Sequence, residues 1–217
     1  MKIAILGTGV VGQTIGSKLI SLGHEVMMGS RSATNEKALT WKDRSGANAS
    51  VGTFTDAAKF GEVIFNCVNG GGTLEALEIA GEENLGDKVL IDLSNPLDFS
   101  NGFPPTLSVS NTDSLAEQIQ RAYPKLKVVK TLNTTNCEVM VNPALIPGVH
   151  DVFMSGNDQE AKATVASILR EWFGWQSVID LGDITTARGP EMILPMWVRL
   201  MGAMKTPMFN FRIVKAD

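Results

Sequence analysis

Short runs rich in β-branched and other apolar residues recur along the chain at 2–6, 25–28, 62–68, 88–93, 127–131, 152–155 and 176–181. Between them, apolar residues fall at helical spacing over 9–22, 74–80, 115–122, 159–173 and 191–203. This alternation predicts a parallel sheet with helices crossing between its strands. The runs at 3–6, 63–65 and 89–93 are almost unbroken in apolar residues, the pattern of strands covered on both faces. Helix ends carry their own signals: Ser114 with Glu117 reads as a capping box, Asp158 as an N-cap and Gly174 as a terminator. Pro190 suits a first helical turn, and Pro195 is expected to kink the helix beyond it. The segment 101–112, with Gly102, Pro104 and Pro105, reads as an irregular loop bordering a site. No linker marks a boundary, so residues 1–142 are expected to form the core and 143–217 a closely packed C-terminal part of the same domain.

Composition narrows the functional classes. A chain of 217 residues with 44% hydrophobic and 19% charged residues can bury one sizeable core and lacks the signature of disorder. Its 19 basic and 23 acidic side chains leave a net charge of −4, so there is no positive excess to hold nucleic acid or an anionic membrane surface. The N-terminal apolar run meets glycine at Gly7, too early for a secretory signal, and the apolar stretch near 192–204 is interrupted by Pro195 and Arg199, which argues against a membrane span. Cys67 and Cys137 form no disulfide framework, which suits a reducing cytoplasm, and His24 and His150 are too few to suggest a metal site.

The chemistry begins at Gly7-Thr8-Gly9-Val10-Val11-Gly12, which follows a predicted strand and opens a predicted helix. In that context the pattern is a dinucleotide-binding fingerprint: Gly7 for the tight turn, Gly9 for approach of a pyrophosphate, Gly12 for close packing of helix on strand. The predicted fold is therefore a doubly wound, Rossmann-type α/β sheet with a small C-terminal extension. An NAD-preferring site would put an acid at the end of the second strand to accept from the ribose 2′-hydroxyl. Gly29 stands there instead, followed by Ser30, Arg31 and Ser32, donors suited to a 2′-phosphate. NADP(H) is the expected cofactor.

The glycine loop, the stretch Gly23-His24-Glu25-Val26 leading to Gly29-Ser30-Arg31, and Ile91-Asp92-Leu93-Ser94-Asn95-Pro96-Leu97 together resemble the deazaflavin (coenzyme F-420)-dependent NADP oxidoreductases. The segments 128–134, 155–158 and 209–213 extend the resemblance over nearly the whole chain, the last as a short terminal strand. The reductase domain of the STEAP metalloreductases has a similar pattern. The resemblance implies NADP lying across the strand ends, with Thr8, Gly9, Val10 and Val11 on the pyrophosphate and Ser30 and Arg31 on the 2′-phosphate. It further implies that Val68, Asn69, Asn95, Pro96 and the stretch from Asn133 to Cys137 approach the nicotinamide. Two positions depart from the family pattern. Asn133 stands where deazaflavin users tend to carry His, and 69–73 is glycine-rich where relatives have bulkier residues, so an open loop with room for another ring system is expected there.

Two functions are open on this reading. The first is hydride transfer between NADPH and a flavin-like, deazaflavin or other small redox acceptor, for which the protein supplies alignment and no catalytic side chain need be named. The second is a non-catalytic NADP-binding redox sensor or regulatory subunit. β-Hydroxyacid dehydrogenase chemistry is disfavoured, because the chain after Gly148 is too short for the long helical domain that carries its lysine. The Met-, Trp- and Phe-rich region 192–211 is the expected contact of a homodimer.

Overall fold

The structure, a computed structural model, describes residues 1–216. Among these, ten strands and ten α-helices alternate through most of the chain: β1 (Lys2–Leu6), α1 (Val10–Ser21), β2 (Glu25–Ser30), α2 (Glu36–Ser45), β3 (Ala49–Thr53), α3 (Phe54–Phe60), β4 (Val63–Asn66), α4 (Gly70–Ala80), α5 (Glu82–Leu85) and β5 (Val89–Asp92). A small hairpin of β6 (Leu97–Asp98) and β7 (Thr106–Leu107) comes next, then α6 (Leu115–Ala122), β8 (Lys127–Thr131) and α7 (Cys137–Val141). The remainder holds β9 (Asp151–Gly156), α8 (Gln159–Ser167) running into a π-helical turn (Ile168–Phe173), β10 (Ser177–Gly182), α9 (Arg188–Met192) and α10 (Leu194–Met204).

The main sheet has the order β10-β9-β8-β5-β4-β1-β2-β3. Its six strands from β8 to β3 are parallel and reverse direction of winding between β1 and β4, the arrangement of doubly wound dinucleotide-binding sheets. Period-two alternation sends side chains to two separate cores. Ile3, Ile5, Met28, Phe65 and Val129 pack against Ile15, Leu19 and Phe173 on one face. Ala4, Leu6, Ile64, Leu90 and Val128 meet Phe54, Leu77 and Ile119 on the other. Apolar residues at both parities are why these strands read as unbroken runs.

Several expectations need correction. The sheet is not parallel throughout: β9 pairs antiparallel with β8, and β10 runs parallel to β9. The elements α2, β3 and α3 carried little apolar patterning; β3 is an edge strand whose sequence is ASVGT. Residues 69–73 are not an open loop, since Asn69 caps α4 by accepting from the Gly71 N–H at 3.1 Å and Gly70 already lies in the helix. The capping box at α6 is one-sided. Ser114 Oγ accepts from Glu117 N at 3.1 Å, but the Glu117 carboxylate takes Arg188 at 2.6 and 2.8 Å instead of the Ser114 N–H. The segment 209–213 forms no regular strand and is tied to the start of β9 by Asp151 N donating to Phe211 O at 2.9 Å. Asp158 and Gly174 do cap α8 and end the π-helical turn, the latter in the left-handed conformation.

Candidate functional site

The winding reversal leaves a crevice outside the carboxyl ends of β1 and β4, where the loops after these strands touch. Each glycine of the first loop meets a different demand. Gly7 has φ +113°, and a Cβ there would stand 2.7 Å from the Cys67 carbonyl oxygen in the loop after β4. At Gly12 a Cβ would stand 2.3 Å from the Gly7 carbonyl, so helix and turn could not close together. Gly9 differs: nothing lies within 4 Å of its Cβ position, and a side chain there would occupy only the open space over the first turn of α1. That helix has no side-chain cap and no acid in its first turn, and Val10 is exposed at its start. Unpaired N–H groups, the positive end of the helix dipole and a cradle that a Cβ would fill are what a pyrophosphate requires. Thr8 is placed beside them, its carbonyl accepting from Gln13 Nε2 at 2.9 Å.

At the end of β2 the predicted phosphate-binding residues are together but engaged. Ser30 is buried and its hydroxyl donates to Ser32 O at 2.6 Å; the Ser32 hydroxyl meets Thr34 Oγ1 at 2.9 Å. Arg31 reaches across to α4 and pairs in two-pronged fashion with Glu75, at 3.1 and 2.8 Å. Hydrogen bonding and charge from Glu75 hold the guanidinium above its ordinary pKa, and Arg31 holds the Glu75 carboxyl below its own.

The other end of the crevice is built on β5, β8 and α9. Asn133 follows Leu132, a buried residue held at φ +61°, a left-handed conformation that a Leu side chain rarely adopts and that turns the chain sharply off β8. Both hydrogens of the Asn133 amide are committed, to Asn95 Oδ1 at 2.9 Å and to Pro190 O at 3.1 Å, while Asn95 Nδ2 donates to Asn133 O at 3.0 Å. Pro96 is fixed from behind, its carbonyl accepting from Ser108 N at 2.8 Å. Val68 N donates to Asn66 Oδ1 at 3.3 Å, and Cys137 opens α7 half-buried. Asn95, Asn133, Thr135, Cys137, Leu194 and Trp197 face one cavity of about 260 Å³, with Val11 of α1 at its edge. A larger groove of about 730 Å³ lies against α1, Trp41 and Arg44, away from the ends of β4, β5 and β8. The strand-end cavity is the better candidate, because it joins the glycine loop to the residues after β5 and β8.

Sequence reasoning missed what holds this end rigid. Lys130, fully buried in β8, lies 2.9 Å from Asp92 and 2.9 Å from Glu191. Asp92 also accepts from Asn66 Nδ2 and Ser94 Oγ, each at 2.7 Å, and Glu191 accepts from the first N–H groups of α6 at 2.8 and 3.1 Å. Burial alone would lower the Lys130 pKa; Asp92 and Glu191 outweigh it and raise it above the ordinary value. A second lysine, directly after Val128-Val129 within the predicted strand 127–131, was the available signal. Burial, with the Asp92 charge adding, pushes the Cys67 thiol well above its ordinary value, the opposite of what activates a cysteine nucleophile. Among the described residues no group of three or more His, Cys, Asp or Glu is placed to hold a metal, and no helix is long and apolar enough to cross a membrane.

Comparison with known proteins bears on this crevice. Residues 2–96 match the family described as NADP oxidoreductase, coenzyme F420-dependent. The crystal structure of a candidate F420-dependent NADP reductase from Arthrobacter sp. FB24 superposes with a TM-score of 0.95 at 51% identity, covering 99% of this chain and 100% of that one. The F420-dependent NADP reductase of Methanocaldococcus jannaschii is 29% identical over the full length of both chains. Metalloreductase STEAP3 of Rattus norvegicus is 28% identical over 90% of this chain, which spans 38% of that longer protein. With its doubly wound sheet, its glycine loop and these matches, the chain belongs to the coenzyme F420-dependent NADP oxidoreductase family and is an NADPH-dependent reductase.

Proposed function

We propose that the protein transfers a hydride from NADPH to a small conjugated redox acceptor, a flavin, a deazaflavin or a similar ring, bound in the strand-end cavity. The observation that carries this is the make-up of the cavity: Val11 from the glycine-loop helix, Leu93 and Asn95 after β5, and Asn133 after β8 line one space. In this reading Thr8, Gly9, Val10 and Val11 hold the pyrophosphate, Gly7 and Gly12 shape their turn, and Ser30, Arg31 and Ser32 receive the 2′-phosphate. Val68, Asn69, Asn95, Pro96, Asn133 and Cys137 border the nicotinamide. Bound NADPH supplies two electrons and one proton as hydride from its C4, and solvent supplies the second proton that the reduced acceptor needs. The protein's part is alignment and exclusion of water.

Arg31 favours NADPH by exchanging one anion for another. Its fork is already aimed across β2 at α4, and the pair with Glu75 lies at the surface, where opposite charges are screened and cheaply separated. Turnover separates this reading from a redox sensor. Anaerobic NADPH oxidation is expected with at least one of FMN, FAD, a deazaflavin, a quinone or a ferric chelate, at rates well above the protein-free background. NADPH binding without oxidation by any of them would favour the sensor. Met192, Met196, Met204 and Met208 are exposed on and beside α10, and we place a homodimer contact there; light scattering that gives a monomer mass at micromolar concentration would overturn that contact.

A further inference from the structure

Buried polar side-chain atoms in folded proteins nearly always find a hydrogen-bond partner, so the exceptions point to something. Among the described residues three such atoms are unpartnered: Thr135 Oγ1, Trp197 Nε1 and Asn210 Oδ1. Two of the three, Thr135 and Trp197, line the same strand-end cavity. They arrive from different parts of the chain, Thr135 from the turn between β8 and α7 and Trp197 from α10, so one local accident of folding does not explain both. Thr135 is 7% exposed. The other tryptophans with buried indoles are satisfied: Trp41 Nε1 donates to Ser17 Oγ at 3.0 Å and Trp175 Nε1 to Met140 O at 2.9 Å.

Trp197 is not loose. Trp197 stacks on Phe209 with ring centroids 5.3 Å apart, and Phe209 packs edge-on against Phe211. That segment is anchored by Asn210 Nδ2, which donates to His150 Nδ1 and Asp151 O, and by Asp151 N donating to Phe211 O. At the other end of the same region, Lys130 grips Glu191 and Asn133 grips Pro190, fixing the turn from which α10 starts. The indole is therefore fixed in the cavity wall with its N–H unpartnered at a standing cost, and a ligand acceptor atom reaching it would relieve that cost.

From this we infer that Thr135 and Trp197 are specificity-determining hydrogen-bond donors to a ring carbonyl of the redox acceptor. Trp197 reaches the cavity from α10, outside the loops after β4, β5 and β8 that border the nicotinamide in the reading above. The donors thus select a planar acceptor that carries carbonyl oxygen on its conjugated ring, as isoalloxazines and quinones do, over redox acceptors without one. The inference rests on reading the cavity as the acceptor site, and it adds the chemical feature by which the acceptor is recognised.

The test uses FMN and the quinone menadione as probes. In the protein saturated with NADP⁺, either probe is expected to move the Trp197 indole N–H resonance downfield, the resonance being assigned by its loss in Trp197→Phe, which keeps an aromatic ring against Phe209. Thr135→Val and Trp197→Phe are each expected to raise the Michaelis constant for that probe roughly tenfold, the worth of one hydrogen bond, while the Kd for NADPH in Trp197→Phe stays within about twofold. If NADP⁺ alone moves the resonance and both variants weaken NADPH, the carbonyl recognised is the nicotinamide carboxamide and the inference is overturned. Failure of both probes to move it overturns the inference as well. A probe that moves the resonance in a protein that never oxidises NADPH would defeat the reductase reading and leave this recognition standing.

Discussion

The two ends of the crevice hold charge in opposite ways. After β2, Arg31 and Glu75 meet at 2.8 Å with side chains 65% and 54% exposed. At β8, Lys130 meets Asp92 and Glu191 at the same range with no more than 2% exposure on any of the three. Water and salt screen the first pair, so its net worth is small, and on the proposed reading the cofactor's 2′-phosphate would take Glu75's place. The second set has no water to fall back on, and every polar end is met by Asn66, Ser94 or the N–H groups of α6. It is a fixed part of the framework, and it transmits rigidity to Pro190, Asn133 and the helix that carries Trp197. One end of the crevice carries a pair that water screens, the other a set that water does not reach.

The largest effect should come from breaking the buried set. Lys130→Met leaves two carboxylates facing each other without a cation, and a loss of about 3–5 kcal/mol in urea unfolding is expected. Arg31→Ala, measured the same way, should unfold at a urea midpoint close to that of the native protein. Equal losses for the two variants would erase the contrast between them.

The glycines give the next effect, and they sharpen the difference between shaping a site and leaving room in it. Gly12→Ala drives a Cβ into the Gly7 carbonyl and is expected to cost both stability and NADPH binding. Gly9→Ala meets nothing in the protein. Its unfolding free energy should change by less than about 1 kcal/mol, while NADPH binding weakens about tenfold or more, because the methyl group stands where the pyrophosphate would. Native affinity for NADPH in Gly9→Ala, read by fluorescence titration, would remove the phosphate from this cradle.

Of similar size for NADPH, but confined to that cofactor, is the exchange at Arg31. Loss of a charge-assisted contact should weaken NADPH roughly ten- to hundredfold in Arg31→Ala and leave NADH little changed. Glu75→Gln removes the competing anion and should tighten NADPH by up to about fivefold, less at high salt. Parallel losses for NADPH and NADH in Arg31→Ala would sink the 2′-phosphate assignment.

Legibility in the sequence divides along the same line. The cradle was legible because its demands are steric and local: Gly7, Gly9 and Gly12 sit at fixed spacing behind an apolar strand, and Arg31 comes after the next one. The covering half was not, because its logic is long-range. Lys130 finds Glu191, Asn133 finds Pro190 and Trp197 finds Phe209 only once β8 and α9 are brought together. The antiparallel turn into β9 was missed for a related reason, since apolar periodicity reports a strand and its faces but not its direction. Asn69–Thr73 misled in the other direction: three successive glycines read as a loop, yet the Asn69 cap and the packing of Thr73, Ala76 and Leu77 make them the start of a helix.

The smallest expected effect is an absence of pH dependence, and it tests whether the Asn133 end of the crevice holds any titrating group. Asn133 donates and accepts without ionising, and its amide hydrogens are fixed to Asn95 and Pro190. The chain has two histidines, and neither faces the cavity. His150 lies between Pro143 O and Asn210, and His24 stacks on Trp172 at 4.2 Å. Burial there lowers the His24 pKa, so the neutral ring is the form the fold favours. Its contribution to stability is present above the ordinary histidine value and is lost as pH falls below it, which shifts unfolding and leaves hydride transfer untouched. Cys67 stays protonated through the whole neutral range because burial drives its pKa up. Single-turnover NADPH oxidation should therefore be flat between about pH 6 and 7.5, where an ordinary histidine would impose a bend. Asn133→His should introduce that bend and also slow the step, since an imidazole cannot reproduce both bonds of the amide. A bend already present in the native protein would mean that a titrating group reaches the reacting ring by a route other than Asn133.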